Sequence, residues 1–175
     1  MQGGQSPSRI AWLQAGQKLL REGGAPSVKL AALTEEAGLT TGSFYHHFAG
    51  IADYVEALAS FYGHQQVDEH LGSIAHLGPH ERLEALIRIA GDERMQPLSA
   101  AMRDWAGSYE PARVAVQAAD RSILLALEAC FIELGHSTPS ARTRAVLLIS
   151  AGVARVKTPW SRAHLREVTV LDVLA

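Results

Sequence analysis

The chain is 175 residues long, 47% hydrophobic and 19% charged, with a formal net charge of −2, enough to bury one core or a small domain docked on a larger one. The single Cys130 excludes an intramolecular disulfide, and neither a charged-then-apolar leader nor an apolar run of spanning length is present, so cytoplasmic residence with no membrane partner is expected. A generally basic nucleic-acid coat is also excluded: residues 1–50 set Arg9, Lys18, Arg21 and Lys29 against Glu22, Glu35 and Glu36.

After a tail of Gly, Gln and Ser, Pro7-Ser8 marks a helix start, and Trp12, Ala15, Gly16, Leu19 and Leu20 form one stripe until Gly23-Gly24 stops it. Leu30, Leu33 and Ala37 make the inner face of a second helix, with Lys29 just ahead of it and within reach of a phosphate. Gly38 supplies the left-handed backbone that ends this helix, and Thr40 is a good N-cap for the next. In that third helix Leu39, Phe44 and Phe48 point inward, leaving Thr41, Gly42, Ser43, His46 and His47 on the other side. Such a turn and helix can lie in a major groove, its first residues against base edges, its backbone amides and Tyr45 against phosphates. Gly50 opens a fourth helix, with Ile51, Tyr54, Val55, Leu58 and Tyr62 inward and Asp53 and Glu56 near the positive end of its dipole.

Beyond residue 63 helix follows helix, and the expected fold class is all-α. Gly78-Pro79 begins a helix carrying Leu83, Leu86, Ile87 and Ala90, and Pro97 begins the next, with Leu98, Met102 and Trp105 in line. The longest runs from near Pro111 to Gly135, with Val116, Ile123, Leu124, Leu127, Phe131 and Leu134 at helical spacing. Thr138-Pro139 starts a helix in which Ala141, Ala145, Leu148, Ile149 and Gly152 share a face, and Thr158-Pro159 repeats the signal ahead of Leu165, Val168, Leu171 and Leu174. Small residues on the first face and the apolar terminal segment favour pairing with a second copy over burial in the chain's own core.

The run Ala37-Gly38-Leu39-Thr40-Thr41-Gly42-Ser43-Phe44-Tyr45-His46-His47-Phe48 resembles the DNA-binding domain of the TetR family of one-component bacterial regulators, where it typically reads Ala-Gly-Val-Ser-Lys-Gly-Thr-Leu-Tyr-His-His-Phe. The resemblance covers roughly residues 8 to 62 at motif level. It implies a TetR-type helix-turn-helix domain over 1–60, with helix 4 as connector at about 50–63, followed by a helical effector-binding and dimerisation domain over 61–175. Lys29, Thr40, Thr41, Gly42, Ser43, Tyr45, His46 and His47 are the expected DNA contacts. Two departures imply weaker or less salt-dependent binding: Thr41 stands where the family often has Lys, and Ile51 where it often has a phosphate-contacting Lys.

The resemblance further implies a ligand-responsive repressor that binds a palindromic operator on double-stranded DNA as a homodimer, with an unknown small-molecule effector and no cofactor. Met102, Trp105, Tyr109, Ile123, Leu127 and Phe131 could line an effector pocket, although ordinary core packing would use the same stripes. The alternative is a TetR-like small-molecule-binding helical dimer with weak or lost DNA binding. His64, His70, His76 and His80 do not share a compact helical face and read as solvated, not as metal ligands. No phosphate loop, metal-ligand helix motif or nucleophile elbow appears, and Cys130 lies in an apolar run, so an enzyme is not expected.

Overall fold

The computed structural model describes residues 6–63, 67–90 and 95–153. Among them it has no strand and nine α-helices: α1 (Pro7–Gly23), α2 (Leu30–Ala37), α3 (Thr41–His47), α4 (Ile51–Gly63), α5 (Glu69–Ile74), α6 (Pro79–Ala90), α7 (Met95–Ala106), α8 (Glu110–Glu133) and α9 (Thr138–Val153).

Local chemistry sets the helix ends. The Ser6 hydroxyl accepts from the Arg9 amide at 3.3 Å and Pro7 opens α1, while Gly24, at φ 68°, closes it by donating its N–H to the Leu20 carbonyl. The Asp53 carboxylate reaches back to the Ala49 amide at 2.8 Å at the start of α4, and Glu81 does the same for Gly78 at 3.1 Å ahead of α6. One start differs from expectation: α7 begins at Met95, so Pro97 sits inside the first turn. An amide there has no helical partner in any case, so proline is tolerated.

Contacts divide the chain into two compact units, residues 1–123 and 124–175. In the first, Trp12, Leu13, Leu33, Phe44, Tyr54 and Leu58 are fully enclosed, and the same core continues through Leu98 and Met102 of α7 and Ala112, Ala115 and Ala119 of α8. Helix α1 packs on α2, α4 and α7 at once. Helix α1 thereby joins the first helices to α7 in one core.

In the second unit Leu127, Cys130 and Phe131 of α8 and Ala141 and Ala145 of α9 are buried. The turn between the helices uses Gly135 at φ 93°, and Arg142 Nε donates to Glu128 Oε1 at 2.9 Å. Of the small-residue stripe, Ala141 and Ala145 are enclosed within a single chain. Among the described residues of this unit, Leu125, Ile132, Val146 and Leu147 are large apolar side chains left exposed. Helical spacing reveals a stripe but not which of two apolar sides turns outward. The expected terminal helix with Leu165, Val168, Leu171 and Leu174 lies outside the described residues.

Candidate nucleic-acid interface

Helices α2 and α3 meet at Gly38, whose φ of 62° and ψ of 25° are left-handed. A Cβ there would touch nothing, so the backbone conformation, not space, calls for glycine. Thr40 caps α3, its hydroxyl oxygen accepting from the Ser43 amide at 3.2 Å.

Two aromatic anchors hold α3. Phe44 meets Trp12 edge-to-face at 5.4 Å and Tyr54 at 5.5 Å, and Phe48 meets Tyr54 at 4.9 Å. Both rings are buried, and edge-to-face pairs add about 0.5–1.5 kcal/mol each beyond area burial. The outer side of α3 is correspondingly fixed.

Of the eight expected contact residues, Lys29, Thr40, Thr41, Gly42, Tyr45 and His46 are exposed, Tyr45 at 58%. Ser43 and His47 differ, being half-buried against α1. Ser43 Oγ lies 3.5 Å from the Trp12 indole N–H, and His47 Nε2 is hydrogen-bonded to Ser8 Oγ at 2.6 Å. Serine 8 lies 39 residues away in sequence, and no local pattern could have paired it with His47. Charge is also redistributed: Lys18 Nζ sits 2.8 Å from Glu36, whose carboxylate raises the lysine above its ordinary pKa. Ile51, expected to face inward on α4, is instead solvent-exposed, because it is the first residue of that helix and lies at its open end.

Residues 13–58 match the family model of the bacterial regulatory proteins, tetR family. Those residues are similar to the N-terminal domain of that family. None of the curated proteins matches the chain. Solved structures share its whole fold at low identity. A protein from Streptomyces coelicolor A3(2), SCO7518, described as a transcriptional regulator, is 23% identical over 97% of this chain and 99% of its own, with a TM-score of 0.69. A TetR-family transcriptional regulator from Agrobacterium tumefaciens is 22% identical over 95% of each chain, with a TM-score of 0.68. A TetR-family member from Streptomyces coelicolor A3, SCO1917, is 18% identical over 97% and 99%, with a TM-score of 0.69. The all-α TetR-like fold, with its N-terminal helix-turn-helix, is thus shared along the chain.

Beyond the TetR-type domain, the expected pocket residues divide between the two units. Met102 is fully enclosed, while Trp105, Tyr109 and Ile123 are half-buried against the first core. Trp105 and Tyr109 stack with centroids 4.9 Å apart and planes 10° from parallel. Leu127 and Phe131 are buried in the second unit. A separate hollow of about 490 Å³ opens between the end of α4 and the first half of α8, lined among others by Ser60, Gly63, Asp68, Pro111, Val114 and Ala119. Sequence reasoning missed it, because small residues on α8 signal close approach only once α4 is known to lie against them. Among the described residues no helix is long and apolar enough to cross a membrane.

Proposed function

We propose that the protein is a ligand-responsive transcriptional repressor that binds a palindromic operator as a homodimer in the cytoplasm. Residues 1–60 read DNA, α4 is the connector, and residues 61–175 bind an effector and dimerise. The observation that carries this reading is the fixed recognition helix: Phe44 and Phe48 lock α3 inward while Thr41, Gly42, Tyr45 and His46 face solvent. Thr41 and Ser43 contact base edges, and Gly42 lets the backbone come close. Thr40, Tyr45, His46, His47 and Lys29 contact phosphates.

Dimerisation is supported by the exposed Leu125, Ile132, Val146 and Leu147, apolar side chains that a second copy would cover. A symmetric pair places two recognition helices about one DNA turn apart and so requires an inverted repeat. Occlusion of promoter DNA by that dimer is repression. The hollow beside Ser60 and Gly63 supports regulation by a small molecule, because a ligand there touches the connector directly. Its effect is bounded by its differential affinity for the two helix arrangements, typically about 1–3 kcal/mol.

The test is selection of bound duplexes from a random pool at low and near-physiological salt. Enrichment of one inverted repeat supports the repressor. No enrichment at either salt, with ligand binding retained, supports instead a helical dimer that has lost DNA affinity.

A further inference from the structure

Residues 1–63 hold four lysine and arginine side chains, and their surroundings differ. Lys18 is committed to Glu36. Arg21 lies in the last turn of α1, twelve residues and so about 18 Å along the axis from Arg9. Lys29 precedes α2. Arg9 is held against the recognition helix: its guanidinium carbon is 5.1 Å from the centroid of the Phe48 ring, and Phe48 is the residue that ends α3.

That ring is buried and wedged against Tyr54, so the platform under Arg9 is rigid. Beside it, Ser8 Oγ and His47 Nε2 join the first turn of α1 to the last turn of α3 at 2.6 Å. A cation held by a carboxylate is already neutralised, as Lys18 is. One held by an aromatic face keeps its full charge, and its guanidinium edge still presents N–H donors. Among the described residues no carboxylate pairs with Arg9.

We propose that Arg9 is a DNA phosphate contact, held in place on Phe48 at the corner where α1 meets α3. This rests on the DNA-binding reading. It supplies, from α1, charge that Thr41 and Ile51 do not supply at the positions where the family often carries lysine. A phosphate contact carries no base information, so it acts on every duplex alike.

The experiment measures affinity of the full-length protein, by fluorescence anisotropy, for a selected operator duplex and a scrambled duplex across a salt series. Arg9→Gln is expected to weaken both duplexes by a similar factor and to make log K against log salt shallower by about 0.9 per bound protomer. Arg9→Met keeps an unbranched stem on Phe48 and should do the same, covering the case in which the glutamine variant loses its fold. Arg9→Lys should retain the slope. An unchanged slope in Arg9→Gln and Arg9→Met, with the wild type binding, overturns the role of Arg9 alone. A changed base preference with an unchanged slope overturns it too. A wild type that binds neither duplex overturns the DNA reading itself.

Discussion

The Tyr54 hydroxyl occupies the space that a side chain on Gly16 would need. A Cβ at residue 16 would collide with that oxygen and lie 2.9 Å from a Leu58 methyl, while the hydroxyl donates to the Trp12 carbonyl at 2.7 Å. Gly16 and Tyr54 together set how closely α1 and α4 cross. The same Tyr54 ring braces Phe44 and Phe48, so one residue on the connector touches both the helix that supports the recognition element and the element itself. Farther along α4, Tyr62 is buried near the two-pronged Arg103–Asp120 pair, whose N–H groups donate at 2.9 and 2.5 Å.

Gly16→Ala should therefore destabilise the protein by about 1–3 kcal/mol, since an added methyl in a packed crossing forces the helices apart. Tyr54→Phe removes only the hydrogen bond and should cost about 0.5–1.5 kcal/mol. Denaturant titration of both variants checks this. A glycine replacement with no cost would mean that α1 and α4 cross more loosely.

Alkaline pH provides a second check on that crossing. Burial pushes the hydroxyls of Tyr54 and Tyr62 above the ordinary tyrosine range. An unfolded tyrosine loses its proton near pH 10, whereas these keep theirs. The folded state then binds more protons than the unfolded one, so stability falls as pH rises past about 10 and is unaffected below. Thermal midpoints from pH 8 to 11 should show the fall, and Tyr54→Phe should make it shallower. An identical fall in the variant would assign the effect to other groups.

Gly42 should be required by DNA and not by the fold. A Cβ there would meet only the Thr40 hydroxyl, at an ordinary 3.8 Å. Gly42→Ala is expected to stabilise the free protein by about 0.4–1 kcal/mol and yet weaken duplex binding. Unchanged affinity would show that the α3 backbone does not come close to DNA.

Thr41→Ala should change which bases are preferred, and Tyr45→Phe should weaken all duplexes alike by removing a phosphate contact. Ser43→Ala should do both less and more: the hydroxyl beside Trp12 makes part of its effect a loss of stability. Duplex selection with each variant decides the matter, and the docking is wrong if Tyr45→Phe alone alters base preference.

Leu147→Glu, on an exposed position, should leave the folded chain intact but shift it from dimer to monomer and weaken operator binding. Analytical ultracentrifugation reads the change. A dimer of unchanged strength would place the interface elsewhere.

What the sequence determined alone was everything set within one turn of chain: Gly24 and Gly38 at helix ends, the Thr40 cap, and Phe44 and Phe48 facing inward at helical spacing. These follow from backbone sterics and a 3.6-residue period, which neighbouring residues fix among themselves. Only the tertiary structure decided that Ser8 meets His47, that Arg9 rides on Phe48, that Lys18 is neutralised by Glu36, and that Ala141 and Ala145 turn inward. Each of these depends on which faces of separate helices meet. That choice is made by the packing of a shared core, where the space left at Gly16 for Tyr54 counts for more than any local propensity.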